Sequence, residues 1–326
     1  MERVVSIDNL RAFCVLWIVA FWHQIGYWPK ELHLSANADA VCQIITWSIL
    51  ATFTYVSGYF LGQTQIKSCD DVKLFYIKRA KRFYCLYLLS CVTLFISGLF
   101  LFKNGIGQKW FADSTTFFYT ILGFSTYTSR PPATLWYFSM LMSFYWLTPL
   151  IIHSKNAKYR LSIASFLWII MIIIYYNGGD IRNMLYFPFY FWGIMRTINL
   201  NYSFKKCIIM GVSFVSIIGF QVLFGFCNHP AIIIIESLWG VFLLVKLSVI
   251  SCSYNSVNRI LFKVSYASMS AYLFHRQIYG IIKQFAPNHE LTPLFTTVVV
   301  VPIIFIVSYY IQFVYDGIVS YCTSKK

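Results

Sequence analysis

Long apolar stretches broken by short polar and basic segments set the pattern of this chain. A helix rises about 1.5 Å per residue, so about 20 apolar residues cross a bilayer core of roughly 30 Å. Ten stretches read as spans: Leu10 to Trp28, Val41 to Leu61, Phe83 to Phe102, Thr134 to Ile152, Leu161 to Tyr176, Met184 to Ile198, Cys207 to Phe226, Ala231 to Ser251, Val264 to Ile282 and Pro293 to Tyr315. The pattern predicts an all-α polytopic membrane protein with about ten transmembrane helices, forming a single domain over residues 1–326. Thr115 to Tyr127 is too short to span and contains Gly123, so it reads as a re-entrant or interfacial helix. The first stretch is too long for a cleaved signal peptide, and no small-residue cleavage site follows it.

Composition agrees with this reading. Hydrophobic residues make up 59% and charged residues 11%, against roughly 25% charge in soluble domains, which excludes a soluble globular protein. The net charge of +15 would suggest nucleic acid in a soluble chain. Here its placement gives another account, because basic residues collect in cytoplasmic loops and set topology. With ten spans and the N-terminus inside, nineteen of the 26 lysines and arginines fall on the inner side and seven outside. Both termini are therefore expected in the cytoplasm, membrane lipids are the expected surroundings, and no nucleic-acid partner is expected. The nine cysteines show no C-x-x-C and no zinc-type spacing. They read as apolar packing residues, and no metal site is expected.

Polar residues inside spans carry the candidate chemistry, since burying them in a bilayer is costly. His23 lies about 20 Å from the start of the first span by helix rise, past the middle of the core. It is a functional candidate or a histidine bonded to a neighbour near the outer boundary. Lys78-Arg79-Ala80-Lys81-Arg82 precedes the third span. Topology and anionic lipid account for such a run, but Arg79 and Arg82 share a helical face and match phosphate oxygens. Glu236, His275 and Arg276 sit in the outer half of their spans, as interhelical contacts or as parts of a site.

Five segments in order resemble membrane acyltransferase family 3. Ser6-Ile7-Asp8-Asn9-Leu10-Arg11 running to Phe21-Trp22-His23 is similar to its D-x-L-R start and first-helix histidine. Tyr55-Val56-Ser57-Gly58-Tyr59-Phe60 resembles its F-x-x-S-G-F, and Arg79-Ala80-Lys81-Arg82 its R-x-x-R. Leu135-Trp136-Tyr137 with Tyr145 and Pro149 resembles its L-W-[YF] helix, and Ser270-Ala271-Tyr272-Leu273-Phe274-His275 its S-x-Y-L-x-H. The resemblance implies a membrane O-acyltransferase of the bacterial inner membrane. It would carry an acyl group, usually acetyl, from cytoplasmic acyl-CoA to a hydroxyl of a cell-surface glycan or lipid-linked sugar. It implies His23 as the catalytic base, Arg11, Arg79 and Arg82 as acyl-CoA contacts, and acyl-CoA as co-substrate with no permanently bound cofactor. An acceptor site on the outer half, lined by Trp136, Glu236 and His275, would complete it, because sugars stack on aromatic faces and bond to carboxylates and imidazoles.

Two departures stand out. The proline that often follows R-x-x-R is absent from Phe83-Tyr84-Cys85-Leu86, and eleven residues rather than the family's ten separate Arg11 from His23. Twelve helical positions turn the two side chains about 120° apart, whereas eleven bring them within about 20°. A π-bulge between Ala12 and Trp22 would absorb the extra residue and restore a common face. The rival reading is a proton-coupled secondary transporter, which would also bury His, Glu and Arg. Paired Gly/Pro-broken helices in corresponding halves are missing from the sequence, and a carrier would have no use for CoA.

Overall fold

The computed structural model describes residues 5–103, 114–127, 134–195, 204–225, 229–251, 255–286 and 290–324. Every regular element among them is helical. The chain begins with α1 (Val5–Trp17), a π turn at Ile18–Trp22 and α2 (His23–Ile25), which together form one rod. Next come α3 (Ala36–Leu61) and α4 (Cys69–Arg79), the latter opened by a capping box between Ser68 and Asp71. A second π turn, Ala80–Tyr84, joins α4 to α5 (Cys85–Lys103). Then follow α6 (Ser114–Ile121), α7 (Leu135–Ile152), α8 (Ala157–Tyr176) and α9 (Ile181–Met195). The remainder is α10 (Phe204–Phe224), α11 (Pro230–Ser251), α12 (Asn255–Phe285), α13 (Pro293–Phe295), a third π turn at Thr296–Val300 and α14 (Val301–Ser324).

Eight of these helices, among the described residues, are long and apolar enough to cross a membrane. The expected spans at Met184 to Ile198 and Val264 to Ile282 correspond to α9 and α12, which do not meet that criterion. The described part of α9 is 15 residues long, and the end of its expected span at Ile198 lies outside the described residues. By contrast α12 runs for 31 residues but carries a polar stripe. The segment 115–127 forms the short α6 and a 3₁₀ turn, Ser125–Tyr127, separated by Gly123 with a φ of 78°. At eight residues α6 cannot cross a bilayer.

The middle of the bundle is α3 and α7, whose residues are mostly buried, whereas α8 and α10 stand at the periphery. Peripheral faces present Ile173, Phe220, Phe224 and Phe313, the apolar exposure expected of helices in lipid rather than water. Helix α3 meets α9 without intervening side chains: a Cβ on Gly58 would strike the Tyr190 carbonyl, and one on Gly193 the Tyr55 carbonyl. Small residues let membrane helices approach this closely. Pro188 lacks the N–H that would bond to Met184 four residues back, and the freed Met184 carbonyl accepts the Trp168 indole N–H at 2.9 Å.

One packed pair positions the chemistry. Helices α1 and α12 run parallel, their contacts advancing together from Asp8 and Ser265 to His23 and His275. Asn9 donates to Asn258 at 2.7 Å, Ser265 to Asp8 at 3.3 Å and Arg11 Nη2 to Ser268 at 2.9 Å. Further along, the Tyr279 hydroxyl donates to the Val19 carbonyl at 3.0 Å. Ser265, Ser268, Tyr272, His275 and Tyr279 follow spacings of three and four, a single helical face. A buried polar stripe of this kind must be satisfied within the bundle, and α1 satisfies it.

Candidate active site

Arg11, Arg79 and Arg82 are brought together. They line a cavity of about 150 Å³ with Ser57, Tyr145 and Ser268 as further polar groups. The rest of its wall is apolar and aromatic, including Phe53, Phe60, Phe83 and Phe138, and no carboxylate lines it among the described residues. Arg11 and Arg79 are half-buried and Arg82 is exposed. The π turn beginning at Ala80 lies between Arg79 and Arg82, yet both line the cavity while Lys78 and Lys81 do not. Lys81 instead offers its backbone carbonyl to the Tyr315 hydroxyl at 2.6 Å. The Arg79 Nε is buried and has no hydrogen-bond partner. A guanidinium donor buried without an acceptor costs free energy that an anionic ligand would recover.

His23 lines a second cavity, of about 290 Å³, with Trp22, Gln43, Trp47, Trp136 and Arg182. Tyr272 of α12 borders both cavities. His23 starts α2 directly after the π turn Ile18–Trp22, which falls inside the interval where the extra residue was expected to be absorbed. Arg11 and His23 consequently engage the same face of α12, through Ser268 and His275 seven residues apart.

His275 is fully buried and stands beside His23 rather than on the wall of the second cavity. His23 Nδ1 and His275 Nε2 are 2.6 Å apart. The ring centroids are 4.8 Å apart with planes 4° from parallel. Given the short N–N contact, the rings lie edge to edge and nearly coplanar, the arrangement in which an in-plane lone pair meets an N–H. Trp136 is on the cavity wall, with the Arg182 guanidinium 4.1 Å from its ring centroid. Asp180 holds that guanidinium through Nε at 3.0 Å, and Asp180 N–H is in turn bonded to the Thr126 carbonyl at 3.1 Å. The short segment after α6 thus helps fix Arg182 at the cavity wall.

Glu236 is not brought to either cavity. It is buried in α11, where Oε1 accepts a hydrogen bond from Gln221 of α10. Sequence reasoning missed Arg182, which counted only as an outer charge, Gln43, which carries no distinguishing spacing, and Ser268, whose place on the polar stripe of α12 was the available signal.

The chain is an all-helical membrane protein in which a guanidinium-lined cavity and a histidine-lined cavity border one tyrosine. A family model described as an acyltransferase domain matches residues 4–313. The chain belongs to membrane acyltransferase family 3, and is thus a membrane acyltransferase. Neither a curated protein nor a solved structure matches it.

Proposed function

We propose that this chain transfers an acyl group, in the first instance acetyl, from cytoplasmic acyl-CoA to a hydroxyl of a glycan or lipid-linked sugar in the bacterial cell envelope. The observation that carries the reading is the pair of cavities on either side of Tyr272, one with three guanidiniums and one with His23. The CoA phosphates would meet Arg79 and Arg82, with Arg11 further along the apolar wall where the pantetheine arm passes. The thioester at the end of that arm would meet the acceptor beside His23, and Trp136 with Arg182 would hold the sugar.

In the reaction, the acceptor hydroxyl gives its proton to the His23 imidazole as its oxygen attacks the thioester carbonyl carbon. The C–S bond then breaks, an ester remains on the sugar, and the CoA thiolate takes the proton from His23. No metal and no covalent enzyme intermediate enter this scheme.

Purified protein with acetyl-CoA and an envelope glycan tests the reading directly. Acyl transfer with release of free CoA is expected, and His23→Ala should lower it by about 10²–10⁴-fold, the range of general-base catalysis, with membrane abundance unchanged. No CoA binding or turnover in the parent, or equal transfer by His23→Ala, would overturn it; the former would favour the carrier.

A further inference from the structure

We infer that His275 is the positioning residue that fixes the proton of His23, so that Nε2 of His23 is the atom that takes the acceptor proton. The inference rests on the proposed role of His23 and adds to it a tautomer and a partner.

The far side of His275 sets its tautomer. Its Nδ1 lies 2.8 Å from the Tyr272 carbonyl and 3.1 Å from the Ala271 carbonyl, three and four residues back on α12. A nitrogen facing two carbonyl oxygens must carry hydrogen, since a bare lone pair there would face only lone pairs. In a neutral imidazole the other nitrogen is then an acceptor. His275 Nε2 therefore presents its lone pair to His23 Nδ1 at 2.6 Å, and His23 Nδ1 must be the donor. That leaves Nε2 of His23 without a proton, on a residue that lines the cavity where the acceptor is proposed to bind. The helix backbone thus sets one tautomer, and the coplanar contact passes it to the next ring.

Burial assigns His275 this role in preference to acceptor binding. It has no exposed surface and does not line the cavity, whereas His23 is half-buried on its wall. As His23 becomes cationic on accepting the hydroxyl proton, the His275 lone pair strengthens its hold on Nδ1–H, as any acceptor does toward a charged donor. Tyr272 and Tyr279 pack edge-on against His275, with ring centroids 5.9 Å and 6.4 Å from it.

Two measurements test the dyad. The first is nitrogen-15 NMR of histidine-labelled parent protein in detergent, with the His23 signals assigned by their loss in His23→Gln. His23 is expected as the Nδ1–H tautomer, the minor form of free neutral histidine. Finding it as Nε2–H would overturn the inference whatever the enzyme does. The second is kinetic. His275→Ala should lower kcat by about 10²-fold or more, as loss of tautomer control does in serine proteases, with the KM for acyl-CoA unchanged. His275→Gln, which returns an acceptor oxygen near the Nε2 position, should recover part of kcat. Parent-like kcat in His275→Ala would overturn the positioning role. A parent that lacks transfer altogether would sink the proposed reaction, and the NMR result would still decide the tautomer.

Discussion

Gly58 of α3 and Gly193 of α9 meet backbone to backbone, with no room for a methyl group on either. The contact matters to the site because Ser57, the neighbour of Gly58, lines the arginine cavity, and α9 carries Arg182 and Tyr186 at the other. The obstacles are carbonyls of the facing helix rather than flexible side-chain ends, so relief requires the helices to separate. Gly58→Ala and Gly193→Ala should each destabilise the protein by about 1–3 kcal/mol, the usual cost of overpacking. Gly219→Ala, whose added Cβ would meet nothing within 4 Å, should not. Thermal unfolding in one detergent compares them, and equal midpoints for Gly58→Ala and Gly219→Ala would show that the close approach is dispensable.

The two arginines of the R-x-x-R segment should govern affinity for the donor. Charge-assisted hydrogen bonds contribute about 1.5–3 kcal/mol each, which is roughly 10–100-fold in affinity. Arg79→Ala/Arg82→Ala should therefore raise the KM for acyl-CoA by at least that factor and leave the acceptor KM nearly unchanged. Lysine at both positions should rescue only partly, because it lacks the bidentate fork. Arg79→Ala alone should cost more than Arg82→Ala, since the Arg79 Nε is buried without a partner and Arg82 is exposed. An unchanged donor KM in the double variant would leave membrane topology as the segment's role.

Much of this arrangement is legible along the chain, and the remainder fails for identifiable reasons. Apolar length finds α3, α5, α7, α8, α10, α11 and α14, because a helix in lipid must be apolar on its outer face. Helical turn angle anticipates the π turn after α1, since Arg11 and His23 could share a face only if one residue were absorbed. The π turns at Ala80–Tyr84 and Thr296–Val300 leave no such trace, as no pair of residues there signals a register. Pairing between distant helices is what single positions cannot disclose. His275 reads as an acceptor contact until its distance to His23 is known. Glu236 has the same intramembrane character and turns out to be bonded to Gln221 on the preceding helix. Arg182 counts as an outer charge until α9 folds it over Trp136.

Trp136 and Arg182 should act on the acceptor as one unit. The guanidinium lies on the indole face, so removing either side chain takes away the other's packing partner. Trp136→Ala and Arg182→Ala should each raise the acceptor KM with the acyl-CoA KM unchanged. The double variant should lose less than the two single losses combined, because residues in contact couple by about 0.5–3 kcal/mol. A double-mutant cycle in acceptor kcat/KM measures this. Simple additivity would separate the two residues, and an effect on the donor KM would place Trp136 in the other cavity.

The π turn at Ile18–Trp22 makes a prediction about length rather than chemistry. Arg11 and His23 are twelve positions apart, a separation that in a regular helix turns them about 120° from each other. The wider turn removes that offset, and both side chains reach α12. Deleting Ala20 should convert the segment to a continuous α-helix with eleven positions between them, within about 20° of eclipsed. Transfer should survive the deletion, with any loss smaller than the roughly 10²-fold that an ångström-scale misplacement causes. Inserting one alanine after Ala20 asks the opposite of the same segment. A second extra residue exceeds what one π turn absorbs, so His23 should swing away from His275 and activity should fall to the level of His23→Ala. Transfer rates at equal membrane abundance decide between alignment and the turn itself. A deletion variant as inactive as His23→Ala would mean that the turn is needed for more than register. The group it supplies is the Val19 carbonyl, which accepts the Tyr279 hydroxyl and ties the rod to α12 next to the histidine pair.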